Sequence, residues 1–265
     1  MTAEPVDTSA AEAFEKYLVP TIFGPWSQAL VDHAGVTAGE RVLDIGCGTG
    51  AAARYAAGLV GTNGKVVATD INAGMIAWAR QLDTAGAVEW RLDSVEDLPN
   101  EDASFDAVIG NQVLQFLPDK PTALAEMRRV LTASGRLTLT VYCQINLCPA
   151  HAAVAKALES HDVNPAGIQN PYSFGDPVAL GDVIQQAGFR DVSVIRKPME
   201  SRFASPVSFV EALAAGGPSA RHALEQLDEA GLKDVMAEVD RTLAEFVDAD
   251  GLRVLTTANM VLARN

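Results

Sequence analysis

The stretch Val42-Leu43-Asp44-Ile45-Gly46-Cys47-Gly48-Thr49-Gly50 decides the fold. An apolar run broken only by an acid passes into glycines at every second position. Such a run reads as a buried strand feeding a tight turn. Gly46 and Gly48 have no side chain, so the backbone can bend sharply and let a ligand approach closely. Thr49 and Gly50 lead into a helix start, where free N–H groups and the helix dipole favour an anionic group. In doubly wound sheets, ligands bind outside the carboxyl ends of the strands, and this turn lies at such an end.

Outward from that turn, strands and helices alternate. Arg41–Ile45, Lys65–Thr69, Val88–Leu92, Phe105–Ile109 and Arg136–Tyr142 read as strands. Ala51–Leu59, Ala73–Leu82 and Lys120–Leu131 read as the helices between them. That rhythm predicts a doubly wound, Rossmann-like α/β sheet of seven strands, mostly parallel. Residues 41–142 form its core. Upstream, Ala10–Ala34 reads as helical with interruptions at Pro20, Gly24 and Pro25, so residues 1–40 are expected to make an N-terminal helical lid. Residues 143–176 carry three prolines and one alanine-rich helix, and read as an insertion over the sheet edge. Residues 177–265 complete the sheet through a helix at Pro177–Ala187 and strands at Val192–Lys197 and Arg253–Leu262. The last strand is expected antiparallel, with a helical cap at 206–250 between these two strands.

The strand after the glycine turn ends in Thr69-Asp70. A carboxylate there suits ribose hydroxyls, so an adenosine-containing ligand is expected. The spacing separates two kinds of ligand. A dinucleotide loop is GxGxxG, whereas this chain has GxGxG preceded by Asp44. A carboxylate at that point repels a pyrophosphate and favours an ammonium or sulfonium group.

These residues resemble the class I S-adenosylmethionine-dependent methyltransferases, in the group that includes the ubiquinone/menaquinone enzymes and many natural-product methyltransferases. The resemblance covers most of the chain and is strongest over residues 41–142. Asp44, Gly46, Cys47 and Gly48 match its first motif. Asp70 and Ile71, in Ala68-Thr-Asp-Ile-Asn72, match the ribose-binding acid and its neighbour, and Met75 the methionine near the adenine. Asp93 and Ser94 stand where an acid meets the adenine amino group. Asn111 and Gln112, closing Phe105-Asp-Ala-Val-Ile-Gly-Asn-Gln112, match the loop facing the methionine part of the cofactor. Glu126-Met-Arg-Arg-Val-Leu131, followed by Ser134-Gly-Arg-Leu137, matches the helix and turn before the fifth strand. In related enzymes N-terminal aromatics close over the cofactor, which here implies Tyr17 and Trp26.

The resemblance implies S-adenosylmethionine as cofactor, a small-molecule acceptor and methyl transfer by direct in-line displacement. One departure stands out. Many relatives carry one or two histidines after the fourth strand, and here those positions are Gln115 and Phe116. A base at that site is therefore missing, and no catalytic residue is assigned. The competing readings are an NAD(P)-dependent oxidoreductase and a cofactor-binding protein without catalysis. His33 is expected at a helix end. His151, His161 and His222 are expected as surface residues of the insertion and cap, although His151 and His161 lie where an acceptor pocket is expected.

Bulk properties narrow the partners. The formal net charge is −14, from 20 basic against 34 acidic residues. With no basic run to neutralise phosphates, nucleic acid is not an expected partner. The opening MTAEPVDTSAAEAFEKY has neither a basic nor an apolar block, so no signal peptide is expected there. Without an apolar stretch of about 20 residues, no membrane insertion is expected. Three cysteines and four scattered histidines predict no disulfide framework and no metal site, and fit a cytoplasmic protein.

Overall fold

A computed structural model describes residues 6–265, so the first five residues of the expected lid lie outside the described residues. Eight strands form one sheet: β1 Arg41–Ile45, β2 Lys65–Thr69, β3 Val88–Arg91, β4 Phe105–Asn111, β5 Leu131–Tyr142, β6 Arg190–Phe203, β7 Val247–Asp248 and β8 Gly251–Arg264. The order across the sheet is β3-β2-β1-β4-β5-β8-β6, with β7 paired to β8. Strands β1 to β5 run parallel, and β8 runs antiparallel between β5 and β6. The expected doubly wound sheet is present, with the two-residue β7 as an eighth strand.

Both faces of the sheet are covered, and β1 illustrates how. Leu43 and Ile45 point into a core with Leu124, Met127 and Leu180, whereas Val42 points into a second core with Leu30, Ala53 and Ile76. Alternate residues of a strand face opposite sides, and burial on both sides explains its nearly continuous apolar run. The exception is Asp44, which shares the face of Val42. The chain order reverses between β1 and β4, which places the switch point of the sheet directly beyond Asp44.

Several elements differ from expectation. The interruptions expected at Pro20, Gly24 and Pro25 do not break the first helical segment. Ser9–Ala13 is α-helical, Phe14–Phe23 is π-helical and Gly24–Ala34 is α-helical, in one continuous run. The Gly24 N–H reaches back five residues to the Val19 carbonyl, so wider turns absorb Pro20, which has no N–H to offer. Strand β6 runs to Phe203, beyond the expected Lys197, because Pro198 sits on an edge strand where a missing donor is tolerated. Its charges at Arg196, Lys197, Glu200 and Arg202 also suit an exposed edge.

Arg136 ties the N-terminal helical segment to the sheet. Its guanidinium donates to Gly35 O (2.9 Å), to Ala34 O and, in a two-pronged pair at 2.8 Å, to the carboxylate of Glu40. It thereby satisfies carbonyls at the end of helix Gly24–Ala34, where a cation is favoured. The insertion contributes helix Pro149–Ser160, and the cap contributes helices Pro206–Gly216, Ala220–Leu224 and Glu229–Thr242. These helices and the π-helical segment share one apolar core with the outer half of β8. Among the described residues no helix is long and apolar enough to cross a membrane, and no group of three or more His, Cys, Asp or Glu is placed to hold a metal.

Candidate active site

A cavity of about 480 Å³ opens at the carboxyl ends of β1, β2 and β4. That size suits a small ligand. The glycine turn forms its floor. Cys47 N–H donates to Thr69 O (3.0 Å), joining the turn to β2. Gly48 N–H donates to Asp70 Oδ2 (2.9 Å), and Asn72 N–H to Asp70 Oδ1 (2.8 Å). The Asp70 carboxylate is thus oriented by two backbone donors and keeps lone pairs free on the cavity wall. Asn72 caps the next helix, accepting from the N–H groups of Gly74 and Met75, and so sets Met75 into the lining.

Two of the glycines are needed for different reasons. Gly48 has φ +54° and faces open cavity, its nearest outside atom lying 3.9 Å from where a Cβ would stand. Gly50 has φ +86°, and a Cβ there would stand 2.1 Å from the Trp90 ring. The first keeps space for a ligand, and the second lets the helix start pack on β3.

Asp44 is the unusual group. It is 1% exposed, lines the cavity, and neither carboxylate oxygen has a hydrogen-bond partner among the described residues. Burial, opposed by the nearby Ala53 N–H and reinforced by Asp70, pushes its carboxyl up to about 8. Burial also raises Asp70. An orphaned buried carboxylate beside a second acid is costly unless a cation completes it. Burial and these two acids push the Cys47 thiol well up, so Cys47 packs as a neutral thiol and not as a nucleophile.

The β4 end carries strain. Gln112 has φ +58°, an uncommon conformation for a residue with a side chain. Its N–H donates to Thr140 O (3.0 Å) and Oγ1 (3.1 Å). Its Oε1 accepts from Tyr142 N–H (2.8 Å) and Gln115 Nε2 (2.9 Å), leaving its own Nε2 buried without a partner. Asn111 also lines the cavity, but its amide donates to Phe23 O (3.3 Å) and Ser27 Oγ (3.1 Å) and accepts from Thr140 Oγ1 (2.6 Å). It pins the N-terminal helical segment to the sheet.

Three residues expected in the site stand outside the cavity lining. Trp26 is fully buried away from the cavity, its indole N–H donating to Thr256 Oγ1 (3.0 Å) on β8. Tyr17 is 40% exposed and lies under the Lys16 ammonium, outside the lining. The aromatic residues of this segment that do line the cavity are Phe14 and Phe23, with Leu18 and Ile22 between them. Wide π-helical turns align residues four or five apart on one face, which leaves Tyr17 off it. Asp93 contributes its carbonyl to Thr69 Oγ1 (3.1 Å), and its side chain is not in the lining; Ser94, Val95 and Glu96 are. Asp44, Gly46, Cys47, Gly48, Asp70, Ile71, Met75, Ser94, Asn111 and Gln112 all lie in the cavity wall.

A link from lid to turn carried no sequence signal. Glu15, on the π-helical segment, accepts from the Thr49 hydroxyl and from Arg54 (2.8 Å), while Arg54 also donates to Thr49 O. The cavity is also walled by Tyr142 at the end of β5, by His151, Ile168 and Tyr172 of the insertion and by Leu213 of the cap. Tyr142 and Tyr172 stack at 4.9 Å, and His151 packs against Tyr172 (5.4 Å) and Phe209 (5.0 Å). His151 is 7% exposed, not a surface residue, and its Nδ1 is buried without a partner. His161 instead faces Glu238 at 3.8 Å, outside the lining.

Residues 43–139 match the family described as a methyltransferase domain. The ubiquinone/menaquinone biosynthesis C-methyltransferase of Hahella chejuensis is 38% identical over 165 residues, covering 61% of this chain and 60% of that one. Its namesake from Pseudomonas syringae pv. tomato is 36% identical over 140 residues, covering 51% and 53%. The chain thus spans a little over half the length of these relatives. Among solved structures, a putative methyltransferase from an antibiotic biosynthesis pathway of Anabaena variabilis superposes with TM-score 0.68 at 16% identity, covering 93% of this chain and 98% of that one. Phosphoethanolamine N-methyltransferase 2 of Haemonchus contortus, solved with phosphomonomethylethanolamine and S-adenosylhomocysteine, gives TM-score 0.61 at 18% identity, covering 96% and 56%. Residues 43–139 thus match a methyltransferase-domain family, and the chain is similar, over a little more than half its length, to ubiquinone/menaquinone biosynthesis C-methyltransferases.

Proposed function

We propose that this chain is an enzyme that transfers the methyl group of S-adenosylmethionine to a small, largely apolar acceptor held in the far half of the same cavity. The observation that carries this reading is Asp44, a buried carboxylate in the cavity wall beside Asp70, with no hydrogen-bond partner among the described residues. A ligand with an ammonium and a sulfonium compensates that charge. A dinucleotide would bring a pyrophosphate against it, which disfavours the oxidoreductase reading. Asp70 would hold the ribose hydroxyls, Met75 and Ser94 would flank the adenine, and Gly46 and Gly48 would let the methionine part lie against the turn.

When bound, the cofactor supplies a methyl group activated by its sulfonium. The chain's part is to hold the acceptor in line with that methyl and keep water out, and alignment alone is worth about 7–11 kcal/mol. Phe14, Leu18, Ile22 and Phe23 serve as the lid that excludes water, held over the turn by Glu15. The apolar far wall and the stacked Tyr142 and Tyr172 suit a flat acceptor. The test is incubation with S-adenosylmethionine labelled in its methyl group and a pool of small phenols, quinols and amines. Label is expected in an organic-extractable product together with S-adenosylhomocysteine. Tight cofactor binding with no transfer to any pool would favour the non-catalytic reading.

A further inference from the structure

The expected histidines after β4 are absent, yet the acceptor half of the cavity contains one from another element. His151 lies in the first turn of helix Pro149–Ser160, in the insertion. Four observations single it out. Its imidazole lines the cavity. Its Nδ1 is buried with no hydrogen-bond partner, whereas buried polar atoms are nearly always paired. Tyr142, Tyr172 and Phe209 enclose the ring, the first at 6.3 Å, so its orientation is set by packing. Among the described residues no carboxylate is hydrogen-bonded to it, and none takes up its proton-accepting capacity.

Resting on the methyltransferase reading above, we propose that His151 is the proton acceptor for a hydroxyl-bearing acceptor, a phenol whose ring lies against Tyr142 and Tyr172. The phenol oxygen attacks the methyl carbon. The O–CH3 bond forms as the S–CH3 bond breaks, and the bonding pair leaves on sulfur, giving S-adenosylhomocysteine. Nδ1 is closed off by packing, so the hydroxyl proton passes to Nε2 of the imidazole. Burial lowers His151 to about 4, so the ring stands neutral and ready to accept. A phenol is a far weaker acid than this imidazolium, but its proton becomes very acidic as the oxygen bonds to carbon, and a weak base then suffices. The same low affinity lets the proton leave afterwards.

The test compares two phenols in the full chain. At mildly alkaline pH para-nitrophenol is largely ionised and needs little help from a base, whereas para-ethylphenol keeps its proton and does. His151→Phe keeps an aromatic ring among Tyr142, Tyr172 and Phe209 and removes the proton acceptor. A positioned base is worth about 10²–10⁴-fold. His151→Phe is therefore expected to lower methylation of para-ethylphenol at least about 100-fold, to lower that of para-nitrophenol less than about tenfold, and to leave calorimetric S-adenosylmethionine affinity unchanged. Equal losses on both phenols would make His151 a packing residue and overturn the proposal, and so would full retention of both. A wild-type chain that binds S-adenosylmethionine but methylates neither phenol would overturn the acceptor class while leaving the methyltransferase reading standing. Failure to bind the cofactor at all would overturn that reading. A second measurement does not depend on the variant's folding: with S-adenosylhomocysteine bound, para-ethylphenol should shift the His151 ring resonances of the wild-type chain, and unmoved resonances would overturn the proposal.

Discussion

The two halves of the cavity are built by different means. The half at β1, β2 and β4 is made from backbone: a glycine turn, N–H groups on Asp70, and one buried acid. The half under the insertion and cap is made from side chains of widely separated elements, as in the contact of Tyr142 on β5 with Tyr172 beyond helix Ala166–Gln169. Backbone geometry needs particular residues at particular spacings, so it leaves a local mark in sequence. An apolar wall can be assembled from many residues in many places, so it leaves none. The first half suits a ligand shared across a large family, and the second a ligand particular to this chain.

The comparison can be broken at either half, and the largest effect is expected in the first. Gly50→Val places a side chain into the Trp90 ring at a left-handed backbone position. Overpacking costs about 1–3 kcal/mol and the left-handed conformation about 1–2 more, so the turn should not form and calorimetry should detect no S-adenosylmethionine binding. Normal binding would mean that the turn is not part of the site.

Asp44 should show itself through pH. Its carboxyl is raised to about 8 in the free chain, and a cationic ligand favours the ionised form. Binding at neutral pH should therefore release a proton. Affinity should climb with pH, approaching about tenfold per pH unit below 8 and levelling above it. Titrations in buffers of different ionisation enthalpy count the protons. Asp44→Asn should abolish both the release and the slope, and a variant with the wild-type slope would place the titrating group elsewhere.

Glu15 tests the join between lid and turn. Glu15→Ala removes a partly buried, charge-assisted contact with Arg54 and Thr49. A loss of about 1 kcal/mol corresponds to about 3–10-fold weaker cofactor binding, with faster proteolysis within residues 14–23 as the direct readout. Unaltered cleavage would show that this contact does not hold the segment. The smallest effect on binding is expected at Trp26. Trp26→Phe gives up the indole bond to Thr256 and should lower stability by about 1 kcal/mol, or about 2–4 °C in Tm, with cofactor affinity unchanged. Weakened binding would return Trp26 to the site.

The same contrast explains what was legible in the sequence. The sheet followed from strand periodicity, and the turn, Asp44 and Asp70 from residue type and spacing. Trp26 and Tyr17, which stand outside the lining, could not be told in the sequence from residues inside it, because an aromatic residue near a site has two uses, packing and contact, and only helix geometry chooses between them. The π-helical turns that rotate Phe14 and Phe23 inward have no local signature beyond Pro20. His151 read as a surface residue because the enclosure made by Tyr142, Tyr172 and Phe209 comes from three segments distant in sequence. Strand β6 runs past the expected Lys197 because Pro198 and the charges around it are tolerated on an edge.

The central claim is that one cavity at the ends of β1, β2 and β4 binds S-adenosylmethionine through Asp70. Calorimetric titration of S-adenosylmethionine into the wild-type chain and into Asp70→Ala tests it most directly. Hydrogen bonds to a charged group are worth about 1.5–3 kcal/mol, so the account predicts one site per chain and affinity about 10–100-fold weaker in the variant. Equal affinities in the two proteins, or no binding to the wild-type chain, would contradict it.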